Sequence, residues 1–323
     1  MKLKKPDIFL GIVLCMLVLA AVLCIVILYV QKHNTENPVV TDTQSSTIDT
    51  AGTGETGNTN SPSGGNTEPS QQTPPVTEPE PIDEAALKAA LNESLRGLTS
   101  EWEVVVYDPA TNLRIGSAIN CGVNDWMTAN RMTQVFIMGA VFQQANDGKL
   151  VLDDVMDDLK AMIISNDSYA ADRLTEKLGG GSAETGREAV KTFAVANGVQ
   201  LGFNRPNSGT SSKKNYVSAQ QTATILNLIC RGELVSEAAS QQMLEILMTQ
   251  RQTDIDPNLA AENAQYGFIT DVEDGTCICA MGVVKLPNRD FVISVVCNKP
   301  VTTDGAKKKV AELIGLAERY FTQ

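Results

Sequence analysis

Histidine is almost missing from this chain. There is one among 323 residues, His33, and it stands in a stretch too polar to join a folded core. That excludes from the body of the protein every arrangement that moves protons through an imidazole, Ser-His-Asp and Cys-His alike, and every zinc site built on histidine. Positive charge is also in deficit: 26 Lys and Arg stand against 38 Asp and Glu, a formal net charge of −12. Nucleic acid is therefore no expected partner, because its phosphates require basic patches. No internal repeat is visible.

Charge vanishes from Ile8 to Val30, a run dominated by Leu, Val and Ile and preceded by Lys2, Lys4 and Lys5. A bilayer takes about 20 apolar residues as a helix. The positive-inside bias then reads 1–7 as a cytoplasmic N-terminus, 8–30 as a single transmembrane anchor and the rest as extracellular. A cleaved signal peptide fits less well, since its apolar region runs about 7–15 residues and ends at small residues. From 31 to 82 large apolar side chains are scarce, and Thr, Ser, Gly, Pro, Asn and Glu dominate. Such a segment buries too little surface to offset chain entropy and is expected to be a disordered, acidic tether. Residues 83–323 are left as one folded domain.

Seven cysteines are present, and Cys121, Cys230, Cys277, Cys279 and Cys297 fall in that domain. An odd number outside the cell leaves at least one unpaired. Cys277 and Cys279 alternate on an expected strand and Cys297 ends the next, so a cross-strand disulfide involving Cys297 stands beside the favoured alternative of buried free thiols. A C-x-C without histidine is too sparse for zinc, and no cofactor is expected.

Within 83–323 the periodicities predict a helix over Glu84–Leu98 and two strands in WEVVVYDP and NLRIGSAIN. A buried helix follows in TANRMTQVFIMGAVF, and further helices extend to about residue 250. Three strands in AQYGFITDV, GTCICAMGVVKLP and RDFVISVVCN and a final helix close the chain. The order implies an α+β domain: a five-stranded antiparallel sheet flanked by the terminal helices, plus an all-helical lobe. The start of the buried helix is unusually polar, with Asn130, Arg131, Thr133 and Gln134.

This order, with FIMGAVF and AADRL on their helices, resembles the class A β-lactamases and related penicillin-recognising serine enzymes. In that family S-x-x-K, S-D-N and K-T-G meet in a cleft. The serine attacks, the lysine activates it, the second serine shuttles protons and the K-T-G strand binds the substrate carboxylate and lines the oxyanion hole. The resemblance places the first serine and lysine on Arg131 and Gln134, S-D-N on Asn166, Asp167 and Ser168, and K-T-G on Gln265, Tyr266 and Gly267. Only an Asp and a Gly are kept. Arg131 has no lone pair to attack a carbonyl, Gln134 takes no proton near neutral pH, and Gln265 brings no charge to a carboxylate. No glutamate stands in LGFNRPNSGTSSKKNYVS to serve deacylation.

These degenerate motif positions imply an extracytoplasmic β-lactamase-like protein without hydrolase activity, a binding module for peptidoglycan peptides or envelope proteins. The alternative is a serine-type hydrolase, of β-lactamase or D-alanyl-D-alanine peptidase kind, using Ser165, Ser168 or Thr133 with Lys213 or Lys214. Two roles stand for Arg131, a solvated surface residue or a cleft residue that binds an anion or pairs with Asp167. Asp167 is expected to cap the helix that follows it.

Overall fold

Strand pairing organises the domain. In the computed structural model, which describes residues 81–208, 213–249, 253–257 and 259–322, five antiparallel strands stand in the order β2-β1-β7-β6-β5. They are β1 (Glu101–Asp108), β2 (Leu113–Ile119), β5 (Gln265–Glu273), β6 (Cys277–Lys285) and β7 (Phe291–Asn298). A separate two-residue ribbon pairs β3 (Met127–Thr128) with β4 (Tyr216–Val217). The periodicities do not announce this ribbon, because two-residue strands carry none.

The central strands read as continuous apolar runs because both faces are covered. On β6, Cys277, Cys279, Met281 and Val283 enter one core, while Ile278, Ala280 and Val284 enter the other. The second core is closed by α1 (Glu84–Leu95) and α8 (Thr303–Phe321), through Leu87, Leu91, Val310, Ile314 and Phe321. Asp83 caps α1 by accepting from the Ala86 N–H, and Thr302 caps α8 by accepting from that of Gly305.

The first core holds the helical lobe. Helix α2 (Thr133–Asn146) lies at its centre, with Thr133 to Phe142 all buried. It packs against α3 (Met156–Ile164), α4 (Ser168–Leu178), α5 (Ala183–Ala196), α6 (Ala219–Cys230) and α7 (Glu237–Thr249). Each of its fully buried large side chains contributes about 1.5–3 kcal/mol. Helix α6 is tied to the sheet by Glu103 of β1, whose carboxylate accepts from the Ala219 and Gln220 amides at 2.7 and 3.3 Å.

No helix among the described residues is long and apolar enough to cross a membrane. The expected anchor at 8–30 and most of the tether lie outside the described residues.

Register decides the cysteine question. Cys297 pairs with Ile278 and shares its face, whereas Cys277 and Cys279 project from the opposite face. A Cys297 bridge to either would have to pass through the sheet, and all five thiols are free. Burial pushes the Cys121 thiol up to about 11 and those of Cys230 and Cys297 up to about 12. All three therefore stay protonated and unreactive at neutral pH. Protein unfolded without reductant and alkylated should carry label on all five; a disulfide-linked peptide containing Cys297 would contradict this register.

Candidate functional site

Helix α2 begins without a cap of its own. Met132 precedes it and offers no side-chain acceptor, although the first N–H groups of a helix need partners. The Thr133 and Gln134 amides turn back to the Asn130 and Arg131 carbonyls at 3.4 and 3.0 Å, and just ahead of the helix Asp271 of β5 accepts from the Arg131 backbone N–H at 3.1 Å. Asp271 is only 4% exposed, and the Cys277 thiol donates to the same oxygen at 3.6 Å. Burial raises its carboxyl above the usual range, opposed by the Arg131 amide, the Arg131 charge and Cys277.

In the first turn of α2, Gln134 is fully buried and donates from Nε2 to Asn166 Oδ1 at 3.1 Å. Asn166 in turn donates to the Thr270 carbonyl at 3.4 Å. Asn166 has φ +54°, a left-handed conformation that asparagine tolerates better than most side chains. The Gln134 Oε1 atom has no hydrogen-bond partner among the described residues.

Asn130 joins a third set of groups. Its Nδ2 donates to Glu273, and its Oδ1 accepts from Arg205 Nε and the Asn215 amide, each at 3.2 Å. Glu273 also holds Lys214 in an ion pair. Asp172 of α4 accepts from the Asn207 and Ser208 amides at 2.7 and 3.0 Å. The flanks of the segment between α5 and β4 are thus held by the residues leading into α2, by β5 and by α4.

The structure brings together Arg131, Gln134 and Asn166, and separates them from the other expected trio. Gln265 is exposed at the far end of β5, opposite Lys285. Tyr266 packs with Phe268 on the terminal-helix side. At Gly267 a Cβ would stand 2.1 Å from the Leu247 carbonyl, so glycine there serves helix–strand contact. The strand instead meets the residues leading into α2 through Asp271 and Glu273, and meets Asn166 through the Thr270 carbonyl. The match on AQYGF therefore misplaced the third motif, since an alternating strand offers several near-equivalent registers and only tertiary contact selects one.

Arg131 is partly exposed and pairs with Asp254 at 3.7 Å, not with Asp167. Asp167 caps α4 by accepting from the Tyr169 amide at 2.8 Å. Ser168 opens α4 half-buried, and Ser165 is exposed. Thr133 is buried, its hydroxyl within reach of the Asn130 carbonyl and Asn207 Oδ1. Lys213 is exposed and lines a groove with Arg187 and Lys191, while Lys214 is engaged by Glu273. None of these hydroxyls is bonded to a lysine among the described contacts. No group of three or more His, Cys, Asp or Glu converges on a metal position among the described residues.

A sheet carrying terminal helices on one face and a helical lobe around a buried central helix is the β-lactamase and transpeptidase architecture. The sequence pattern of the Beta-lactamase enzyme family matches residues 154–318, just over half of the chain, and the chain belongs to that family. Solved structures agree on the fold. The ancestral class A β-lactamase of Gram-negative bacteria superposes with TM-score 0.61 at 20% identity, over 73% of this chain and 100% of that one. The TLA-1 extended-spectrum β-lactamase gives 0.63 at 15% identity, over 74% and 99%. A single-residue mutant of PBP-A, solved as an acyl-enzyme complex with penicillin G, gives 0.62 at 16% identity, over 74% and 97%. No curated protein matches.

Sequence reasoning missed Asp271, Glu273 and Arg205, and noted Asn130 without assigning it a role. One signal was available: ITDVED sets two carboxylates on alternate positions of an otherwise apolar strand, and inward charge on a strand is unusual. Replacing Asn130 with Ala strips partners from Arg205, the Asn215 amide and Glu273. Chemical denaturation should show a loss of about 1–3 kcal/mol. Asp271→Asn should act through pH. A carboxyl raised above its ordinary 3.8 in the fold contributes stability that is present at low pH and lost as pH rises through its folded value. The variant lacks that loss, so its stability relative to the natural protein should grow as pH rises from below 3.8 towards neutrality, measured by denaturation at a series of pH values.

Proposed function

We propose that this member of the β-lactamase family is a non-hydrolytic binding protein. It is held at the membrane by residues 8–30, and its domain stands outside the cell on the tether that follows. The observation carrying the reading is the Gln134–Asn166 contact. The resemblance assigns these positions to the activating lysine and the proton-shuttling serine, and they lie within hydrogen-bond distance. Both are neutral amides here, and neither accepts a proton near neutral pH. Arg131, at the nucleophile position, is a cation with no electron pair to offer. Losing one member of such a catalytic unit can cost about 10⁶ in rate; here each proton-handling position differs.

The same contacts support binding without chemistry. Lys214 reaches from its ion pair with Glu273 into a polar groove of about 380 Å³ lined also by Arg187, Lys191, Asn204, Lys213 and Tyr216. Peptides of the cell wall, or a protein of the envelope, are the ligands that the family and the proposed location favour. The hydrolase alternative draws no support from Thr133, whose hydroxyl is buried and internally engaged.

The deciding experiment is intact mass of the folded protein after incubation with a fluorescent penicillin, beside an active member of the family. The expected result is no adduct while the control is labelled. An adduct would overturn the reading, and peptide mapping would name the nucleophile. Retention on wall fragments should accompany the negative result; a domain that retains none would be a spacer rather than a binding module.

A further inference from the structure

The backbone N–H of Arg131 matters independently of the side chains that differ around it. In acyl transfer the carbonyl oxygen becomes an oxyanion, and donors must wait about 2.7–3.1 Å from where it forms. The nucleophile's own amide is a recurrent donor of this kind. Here that amide belongs to residue 131, two residues ahead of α2, and it already carries a carboxylate oxygen, Asp271 Oδ2 at 3.1 Å. Asp271 is held there: it is 4% exposed, comes from a strand paired along its length with β6, and receives the Cys277 thiol on the same oxygen.

We infer that Asp271 is an internal occupant of the oxyanion position, silencing acylation at this cleft independently of the residues at 131, 134 and 166. The inference rests on the non-hydrolytic reading above. A carbonyl oxygen arriving at residue 131 would have to displace the buried Asp271 carboxyl oxygen from its donor. The loss of chemistry is therefore double. One part lies in side chains that hold no nucleophile or base, the other in a donor turned inward to stabilise the start of α2.

The test restores the first part and varies the second, in the full chain. Three variants carry Arg131→Ser, Gln134→Lys and Asn166→Ser together, with Asp271 kept, changed to Ala or changed to Asn. In each the introduced hydroxyl can add to a penicillin carbonyl while the lactam C–N bond breaks and the nitrogen leaves with the hydroxyl's proton. Adduct is read by intact mass, and folding by a cooperative thermal transition. Only the Asp271→Ala background is expected to be labelled, because Asn still offers the Arg131 position an acceptor. Equal labelling with Asp271 kept, or none in any folded variant, overturns the assignment. In the otherwise natural chain, Asp271→Ala should speed hydrogen exchange of the Arg131 amide by about tenfold and Asp271→Asn should not; unchanged exchange in the Ala variant also overturns it. Failure here is distinct from failure of the functional reading, which is tested on the natural chain by adduct formation and by retention on wall fragments.

Discussion

A carboxylate taken out of water at the start of a buried helix is the constraint on which this site depends. Asp271 lies where desolvation penalises its charge, and what opposes that penalty is the Arg131 amide just ahead of α2, the Arg131 cation and the Cys277 thiol. A buried polar group is tolerated only when its partners are fixed. Helix, strand and neighbouring strand are therefore bound to one arrangement, and Thr270, beside Asp271, carries the tie to Asn166 and through it to Gln134.

Around that point a set of internal hydrogen bonds encloses the residues that lead into α2. Glu273, two residues along the same strand face, collects Asn130 and Lys214 and so draws the segment before β4 against α2. Lys214 and Glu273 are partly exposed, so their attraction is screened and worth little by itself. The buried Asn130 matters more, because three separate groups lose a partner with it. Under the non-hydrolytic reading proposed above, positions that serve proton transfer in the family serve packing and hydrogen-bond satisfaction here.

Much of the architecture was legible along the chain. Leu87, Leu91 and Leu95 spaced by four, the long apolar strands ending in VVKL and VVCN, and the all-buried FIMGAVF each announce an element and its depth. For Gln134 and Asn166 the sequence offered only a resemblance, carried by FIMGAVF and AADRL, that assigned both to motifs of one cleft. The third motif was not, because GFITDVED alternates at every position and nothing local says which pair of residues faces α2. The ribbon of β3 with β4 left no periodic trace, and the role of Asn130 was hidden because its partners lie 75 to 143 residues away.

Local sequence by itself determined which segments are helix and which are strand, that the folded domain holds no imidazole, and that no nucleophile–lysine pair opens the central helix. Those properties depend on residue identity and short-range spacing, which no tertiary arrangement alters. Tertiary structure alone decided that Asp271 holds the Arg131 amide, that Arg131 pairs with Asp254, and that Cys297 faces away from Cys277 and Cys279. Each of these depends on strand register and on the approach of elements distant in sequence. Register is set by burying the whole sheet between two cores, a constraint that no short stretch of the chain contains.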